Sequence, residues 1–160
     1  MHAVKRRLGA AMAAGAALVA VPAQAQLTVC TVNNPIVAFG SYNPVSSTPL
    51  TSSGTVTVIC TGLLGLFISF TAQLSPGVSG NELSRYMALS SQHLSYNIYT
   101  NSTYTTVWGD GSSGTGTLNG SFTIVIGGAT QSFTVYGRVP VSQAVAAGAY
   151  LDTLTVTLSY

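Results

Sequence analysis

Residue types able to do chemistry are few in this chain, and they are scattered. His93 could act as a base, with a neighbouring serine as nucleophile and Asp110 or Asp152 orienting the imidazole, which is the constellation acyl transfer needs. No G-x-S-x-G turn presents such a serine, and His93 falls in the polar phase of an alternating segment. It reads as a surface histidine, so no catalytic residue is assigned and no enzyme is expected. The stretch Trp108-Gly109-Asp110-Gly111-Ser112-Ser113-Gly114 suggests a calcium loop but offers one carboxylate where such sites want several charged oxygens. Its Asp-Gly step reads as a tight turn. Glu82 and Arg85, three residues apart, are expected to pair on the surface, an interaction worth little. Asn101-Ser102-Thr103 and Asn119-Gly120-Ser121 fit the glycosylation pattern and mark those stretches as exposed. No cofactor is implied.

The amino terminus decides how the two cysteines read. Lys5, Arg6 and Arg7 precede an uncharged run from Leu8 to Val21, followed by Pro22 and Ala23-Gln24-Ala25. This is the pattern of a secretory signal peptide cleaved after Ala25. The run is shorter than the roughly 20 residues a spanning helix needs, so no membrane span is expected after cleavage. The expected organisation is a signal peptide at 1–25 and one domain at 26–160. In an exported chain Cys30 and Cys60 are expected to oxidise to a disulfide. Closing a loop of about 30 residues stabilises the fold by roughly 3–4 kcal/mol in the chain-entropy treatment. Zinc would need four ligands, and only His93 remains to join the two thiols.

Removing the leader also removes the basic balance, since the +2 of the whole chain rests on its three cations. What remains is Arg85 and Arg138 against Glu82, Asp110 and Asp152. Nucleic acid is not an expected partner, because neutralising a phosphate backbone takes a patch of Lys and Arg.

The elements that must position these residues are strands. Leu27–Val32 and Ile36–Phe39 look extended around Asn33-Asn34-Pro35. Gly54–Cys60 and Leu66–Leu74 alternate apolar and polar residues, as does His93–Tyr99. Ser121–Ile126 and Ser132–Val139 flank Gly127-Gly128, a hairpin signal. The chain closes on Leu154, Val156, Leu158 and Tyr160 alternating with hydroxyl residues. Asn81–Leu89 alone could hold a helical turn. Short strands divided by Gly, Ser, Asn and Pro predict an all-β fold, a sandwich. After the leader there is no lysine, and Ser and Thr decorate the strands. Edges without charge do not repel a partner strand, so they are expected to be covered.

Several segments, in order, carry a family resemblance: Cys30, "FGSYNP" at 39–44, "GTVTVIC" ending at Cys60, "YMAL" at 86–89, "LSYNIYTN" at 94–101, "VWGDGSSGTGT" at 107–117, "VYGRVP" at 135–140 and "GAYLDTLTVTLSY" at 148–160. Together they resemble the spore coat protein U domain family, which includes subunits of archaic, Csu-type chaperone-usher pili. The resemblance implies an immunoglobulin-like β-sandwich that lacks its last strand. It implies a groove lined by Leu154, Val156, Leu158 and Tyr160, with the first strand, around Val29 to Val32, as the other wall. A periplasmic chaperone strand would fill that groove first, and a neighbouring pilus subunit would replace it at an outer-membrane usher, by strand addition. Burying about four or five apolar donor side chains at roughly 1.5–3 kcal/mol each would bring on the order of 10 kcal/mol. The implied product is a secreted, cell-surface fimbrial subunit serving adhesion and biofilm formation. The alternative is a self-contained secreted coat-like protein. Alternation in the last strand by itself fits an open groove and a closed core equally.

Only Gln26, Leu27, Thr28 and Val29 separate the expected cleavage site from Cys30. The chain is therefore expected to accept a donor strand without supplying one, which suits a distal tip or a stand-alone coat protein. Tyr150, following Gly148, resembles a tyrosine corner, a folding device of immunoglobulin-like sandwiches. Arg138 is expected to be a solvated or locally paired charge.

Overall fold

In the computed structural model, residues 28–33 and 35–160 are described; the expected signal peptide and its cleavage site lie outside them. The described strands are β1 (Thr28–Val32), β2 (Leu50–Gly62), β3 (Phe67–Leu74), β4 (Tyr86–Leu89), β5 (Gln92–Ser95), β6 (Asn97–Tyr99), β7 (Leu118–Thr123), β8 (Ala129–Val139) and β9 (Val156–Ser159). No described helix is long and apolar enough to cross a membrane.

Alternation sets the two layers. Val56, Val58 and Cys60 on β2 are fully buried, while Thr55 and Ile59 in the opposite phase are exposed and Thr57 is half-buried. On β8, Val135 and Val139 point inward in the same phase, and Phe70, Ala72 and Leu74 do so from β3. One sheet runs β1-β2-β8-β6 and the other β7-β3-β9. The first has the A-B-E-D order of an immunoglobulin sheet. In the second, β3 and β9 stand where strands C and F stand, and the place beside β9 for a last strand has no occupant among the described residues. The fold is an immunoglobulin-like sandwich with an open edge.

Cys30 and Cys60 face each other across the β1–β2 ladder with 4.1 Å between their Cα atoms, and they are joined by a disulfide. Among the described residues β1 pairs only with β2, so the bridge anchors an edge strand that has one neighbour to hold it.

The connections differ from sequence expectation in three places, and the one expected helical turn is present but short. Gly127-Gly128 is not a hairpin: β7 pairs with β3 and β8 with β2, so the segment between them crosses from one sheet to the other. The cause is Ile124, whose buried side chain and hydrogen bonds to Gly65 and Leu66 hold the chain in the β3 layer before the turn. A two-residue hairpin forms instead at Ser90-Ser91, between β4 and β5, where Ser90 adopts the positive φ (50°) such a turn requires. The segment 93–99 is split at Tyr96, because β5 pairs with β4 while β6 pairs with β8. The helical turn is a single 3-10 turn, Glu82–Ser84, capped by the Asn81 side chain, and β4 follows it directly.

Candidate strand-acceptor groove

Beyond β1 the chain runs across the inner face of its own sheet without joining a ladder. From Pro35 to Tyr42, the described backbone hydrogen bonding is one contact, Ser52 Oγ donating to the Ala38 carbonyl at 2.6 Å. Val37, Phe39 and Tyr42 turn into the core, whereas Ile36 is 80% exposed. The strap lies this low because two inner-face positions beneath it are glycine. A Cβ on Gly54 would stand 2.9 Å from a Val37 methyl, and one on Gly137 would stand 2.6 Å from Phe39 Cζ. Tyr42 closes the far end, where its hydroxyl accepts from the Gln143 amide at 2.8 Å.

Facing the strap is the segment that leads into β9. On one side Leu151 exchanges hydrogen bonds with Ala88, and the Thr155 carbonyl accepts from Ser75. The backbone groups of Tyr150, Asp152 and Leu154 alternate to the opposite side, where they have no partner among the described residues. Tyr150 donates to the Ala146 carbonyl at 2.9 Å, the bond of a tyrosine corner, and so fixes the entry to this wall. Asp152 fixes it further: Oδ1 accepts from the Val78 amide at 3.0 Å and Oδ2 from the Tyr96 hydroxyl at 2.6 Å.

Between the two walls lies a groove of about 1210 Å³ whose floor includes Leu74, Tyr96, Ile98, Trp108, Val135 and Val139. That exceeds the roughly 300–1,000 Å³ of ordinary small-molecule pockets. The shape is long, apolar below and edged by unpaired main chain, which is what an added β-strand needs. Trp108 is held by its indole N–H donating to the Ala72 carbonyl at 2.9 Å, and Phe39 meets Tyr96 edge-on at 5.7 Å.

Under the floor, Arg85 is 1% exposed, so it does not form the expected surface pair with Glu82. Its guanidinium donates to Asn97 Oδ1 at 2.8 Å and to the carbonyls of Ser75, Leu74 and Glu82. A fork of five donors can satisfy that many acceptors around a chain crossing between layers, which is why the 93–99 segment breaks here. Burial pulls the Arg85 pKa down, opposed by Tyr96, Glu82 and Asp152 nearby. Burial, then the bond to Asp152, pushes the Tyr96 hydroxyl well above the usual phenol range. Glu82 instead accepts from the Asp110 amide at 3.0 Å.

The four residues expected on the last strand separate. Leu154 and Val156 line the groove. Leu158 packs half-buried between the two core clusters, and Tyr160, 49% exposed, stands beside Ser69 and Asn119 in a shallow depression. On the opposite wall Val32 lines the groove, and Val29 is half exposed outside it. Sequence reasoning missed Val37, Phe39 and Tyr42, although glycines at the inward phase of two strands were a usable signal of close approach. The residues weighed for catalysis lie apart. His93 is exposed on β5 and stacked on Tyr86 at 3.9 Å, Asp152 belongs to the groove wall, and Asp110 caps its own turn by accepting from the Ser112 amide at 2.7 Å. That bonding holds the Asp110 carboxyl below its usual pKa.

The family model of the Spore Coat Protein U domain matches residues 16–157. A comparison with curated proteins finds no match. Among solved structures, a chain in the crystal structure of the CsuC-CsuE chaperone-tip adhesion subunit pre-assembly complex, from archaic chaperone-usher Csu pili of Acinetobacter baumannii, superimposes with a TM-score of 0.55. Identity is 24%, and the match covers 84% of this chain and 40% of that one. This chain therefore spans less than half the length of that relative, and the likeness speaks for the fold.

Proposed function

Since the chain belongs to the Spore Coat Protein U domain family, we propose that it is a structural subunit of a chaperone-usher surface fibre whose groove receives a β-strand from another polypeptide. The observation that carries this reading is a pair of extended segments facing each other across an apolar floor: 35–42, which joins no ladder, and 150–155, which is bonded on its outer side and unpaired toward the groove among the described residues. Unpaired main-chain groups at an apolar seam are costly, and an incoming strand satisfies them while burying its alternate side chains. In this reading residues 1–25 direct export and are removed, and a periplasmic chaperone occupies the groove of domain 26–160. An outer-membrane usher then exchanges that strand for one from a neighbouring subunit. The assembled fibre stands at the cell surface and serves attachment and biofilm formation.

The test is expression of the full chain in a periplasm with and without a chaperone of this class. Copurification in equal amounts, with proteolytic loss when the chaperone is withheld, is the expected result; a stable lone monomer would sink the proposal. One observation favours the second reading, a self-contained secreted protein: Val37 and Phe39 of the chain's own strap already cover part of the inner face. That reading predicts cooperative unfolding of the monomer and no complex with any chaperone.

A further inference from the structure

The outer face of the four-stranded sheet carries a cluster that the groove does not use. Tyr99 on β6 pairs across to Tyr136 on β8, and the 100–106 loop folds back to lay Tyr104 against both, edge-on at 5.5 Å and 6.4 Å between ring centroids. Arg138, two residues along the same outward phase, places its guanidinium carbon 5.4 Å from the Tyr104 ring centre. Of the tyrosine hydroxyls, those of Tyr42, Tyr86, Tyr96 and Tyr150 are hydrogen-bonded within the chain. Those of Tyr99, Tyr104 and Tyr136, and of Tyr160 at the far end of the other sheet, are not, among the described residues. Arg138 likewise makes no hydrogen bond or ion pair there. With no lysine among the described residues and Arg85 buried, the half-buried Arg138 is the one strongly basic group they leave open to solvent.

This cluster is built and held. Tyr104 sits at φ 55°, an uncommon conformation for a large side chain. The loop that imposes it is pinned by Asn101, whose side chain donates to Thr105 Oγ1 at 2.7 Å and accepts from the Thr105 amide at 3.0 Å. On the β2 side the cross-strand neighbours are hydroxyl residues, Ser53 facing Tyr136 and Thr51 facing Arg138, and on the β6 side the buried Asn97 faces Arg138.

We propose that Tyr99, Tyr104, Tyr136 and Arg138 form a binding platform for an acidic saccharide, a sugar ring bearing a carboxylate. The guanidinium takes the carboxylate in a two-point, charge-assisted contact, and the free phenol groups and ring faces take the sugar's hydroxyls and its apolar face. Ser53 and Thr51, opposite Tyr136 and Arg138, add hydroxyl partners that suit a polyhydroxylated ligand. Nucleic acid or an anionic membrane would require several cations, and one is present.

The experiment is titration of the full chain, alone or in complex with a chaperone, using trigalacturonate and, as the uncharged comparison, maltotriose. The platform lies outside the groove, so either form of the protein serves. Trigalacturonate is expected to bind at about 1 mM ligand or below, maltotriose to bind far more weakly, and Arg138→Gln to lose about tenfold or more of the affinity. Thr51→Glu, an exposed change that sets a carboxylate opposite Arg138, is expected to cause the same loss, which covers the case of Arg138→Gln failing to fold. Absence of trigalacturonate binding, equal binding of maltotriose, or retained affinity in the folded variants overturns the proposal.

Discussion

The Tyr96 hydroxyl donates to Asp152 Oδ2 at 2.6 Å, joining the floor of the groove to its wall. Asp152 in turn caps the Val78 amide, so one carboxylate ties the approach to β9 to both the core and the turn after β3. The wall is thereby held with its edge open among the described residues.

Burial of the Tyr96 hydroxyl, and then that bond, make stability fall at high pH. The folded-state pKa of Tyr96 is raised, so its contribution is complete below the unfolded phenol value of about 10 and declines as pH rises above it. The urea midpoint of the wild type is expected to drop between about pH 9 and pH 11, in the range where free phenols ionise. Tyr96→Phe is expected to start about 1–2 kcal/mol less stable, because Asp152 loses a partner, and to lose less over the same interval. A parallel decline in both proteins would contradict the assignment.

Val156 pairs opposite Leu74 at the start of β9 and lines the groove, whereas Thr157 beside it faces outward. Val156→Asp is expected to cost more than about 2 kcal/mol, as an unpaired charge set against apolar neighbours, and to abolish chaperone capture. Thr157→Asp is expected to stay within about 0.5 kcal/mol of wild type. Periplasmic accumulation measured side by side checks both, and normal levels of Val156→Asp would count against strand addition at this edge.

Gly137 and Phe39 form a coupled pair. A methyl group on Gly137 would stand 2.6 Å from Phe39 Cζ and 2.8 Å from a Val37 methyl. Gly137→Ala is expected to lift the strap and cost about 1–3 kcal/mol. Phe39→Ala makes room, so the double variant is expected to be more stable than the sum of the two single losses, by about 0.5 kcal/mol or more. Denaturant titration of the four proteins checks it; simple additivity would place the strap elsewhere.

Replacing Cys30 and Cys60 together by alanine is expected to cost about 3–4 kcal/mol. The loss should concentrate on β1, whose one ladder partner among the described residues is β2. Hydrogen exchange should therefore accelerate at Val29 and Thr31 before it does in the β2–β8 ladder. Uniform acceleration would mean that the bridge stabilises the sandwich globally.

Legibility followed the range of the interactions. The buried faces of Val56, Val58 and Cys60, and of Phe70, Ala72 and Leu74, were readable because inward and outward positions on a strand alternate whatever the partner is. Tyr150 and the Asp110 turn were readable because their bonds close within a few residues. Arg85 was misread as a surface charge because all but one of its acceptors, Asn97 Oδ1 being the exception, are carbonyls from Leu74, Ser75 and Glu82, and main-chain acceptors leave no mark in side-chain spacing.

The sequence by itself determined an all-β chain, a cysteine pair suited to bridging and an alternating final strand, since each is a property of composition or local period. Tertiary structure decided which strands pair, that Gly127-Gly128 spans two layers, that the strap at 35–42 walls the groove, and that the groove reaches Leu154 and Val156 but not Leu158. Those outcomes depend on packing between segments far apart in the chain, where a buried Ile124 or a missing Cβ at Gly137 outweighs the preference of any single stretch.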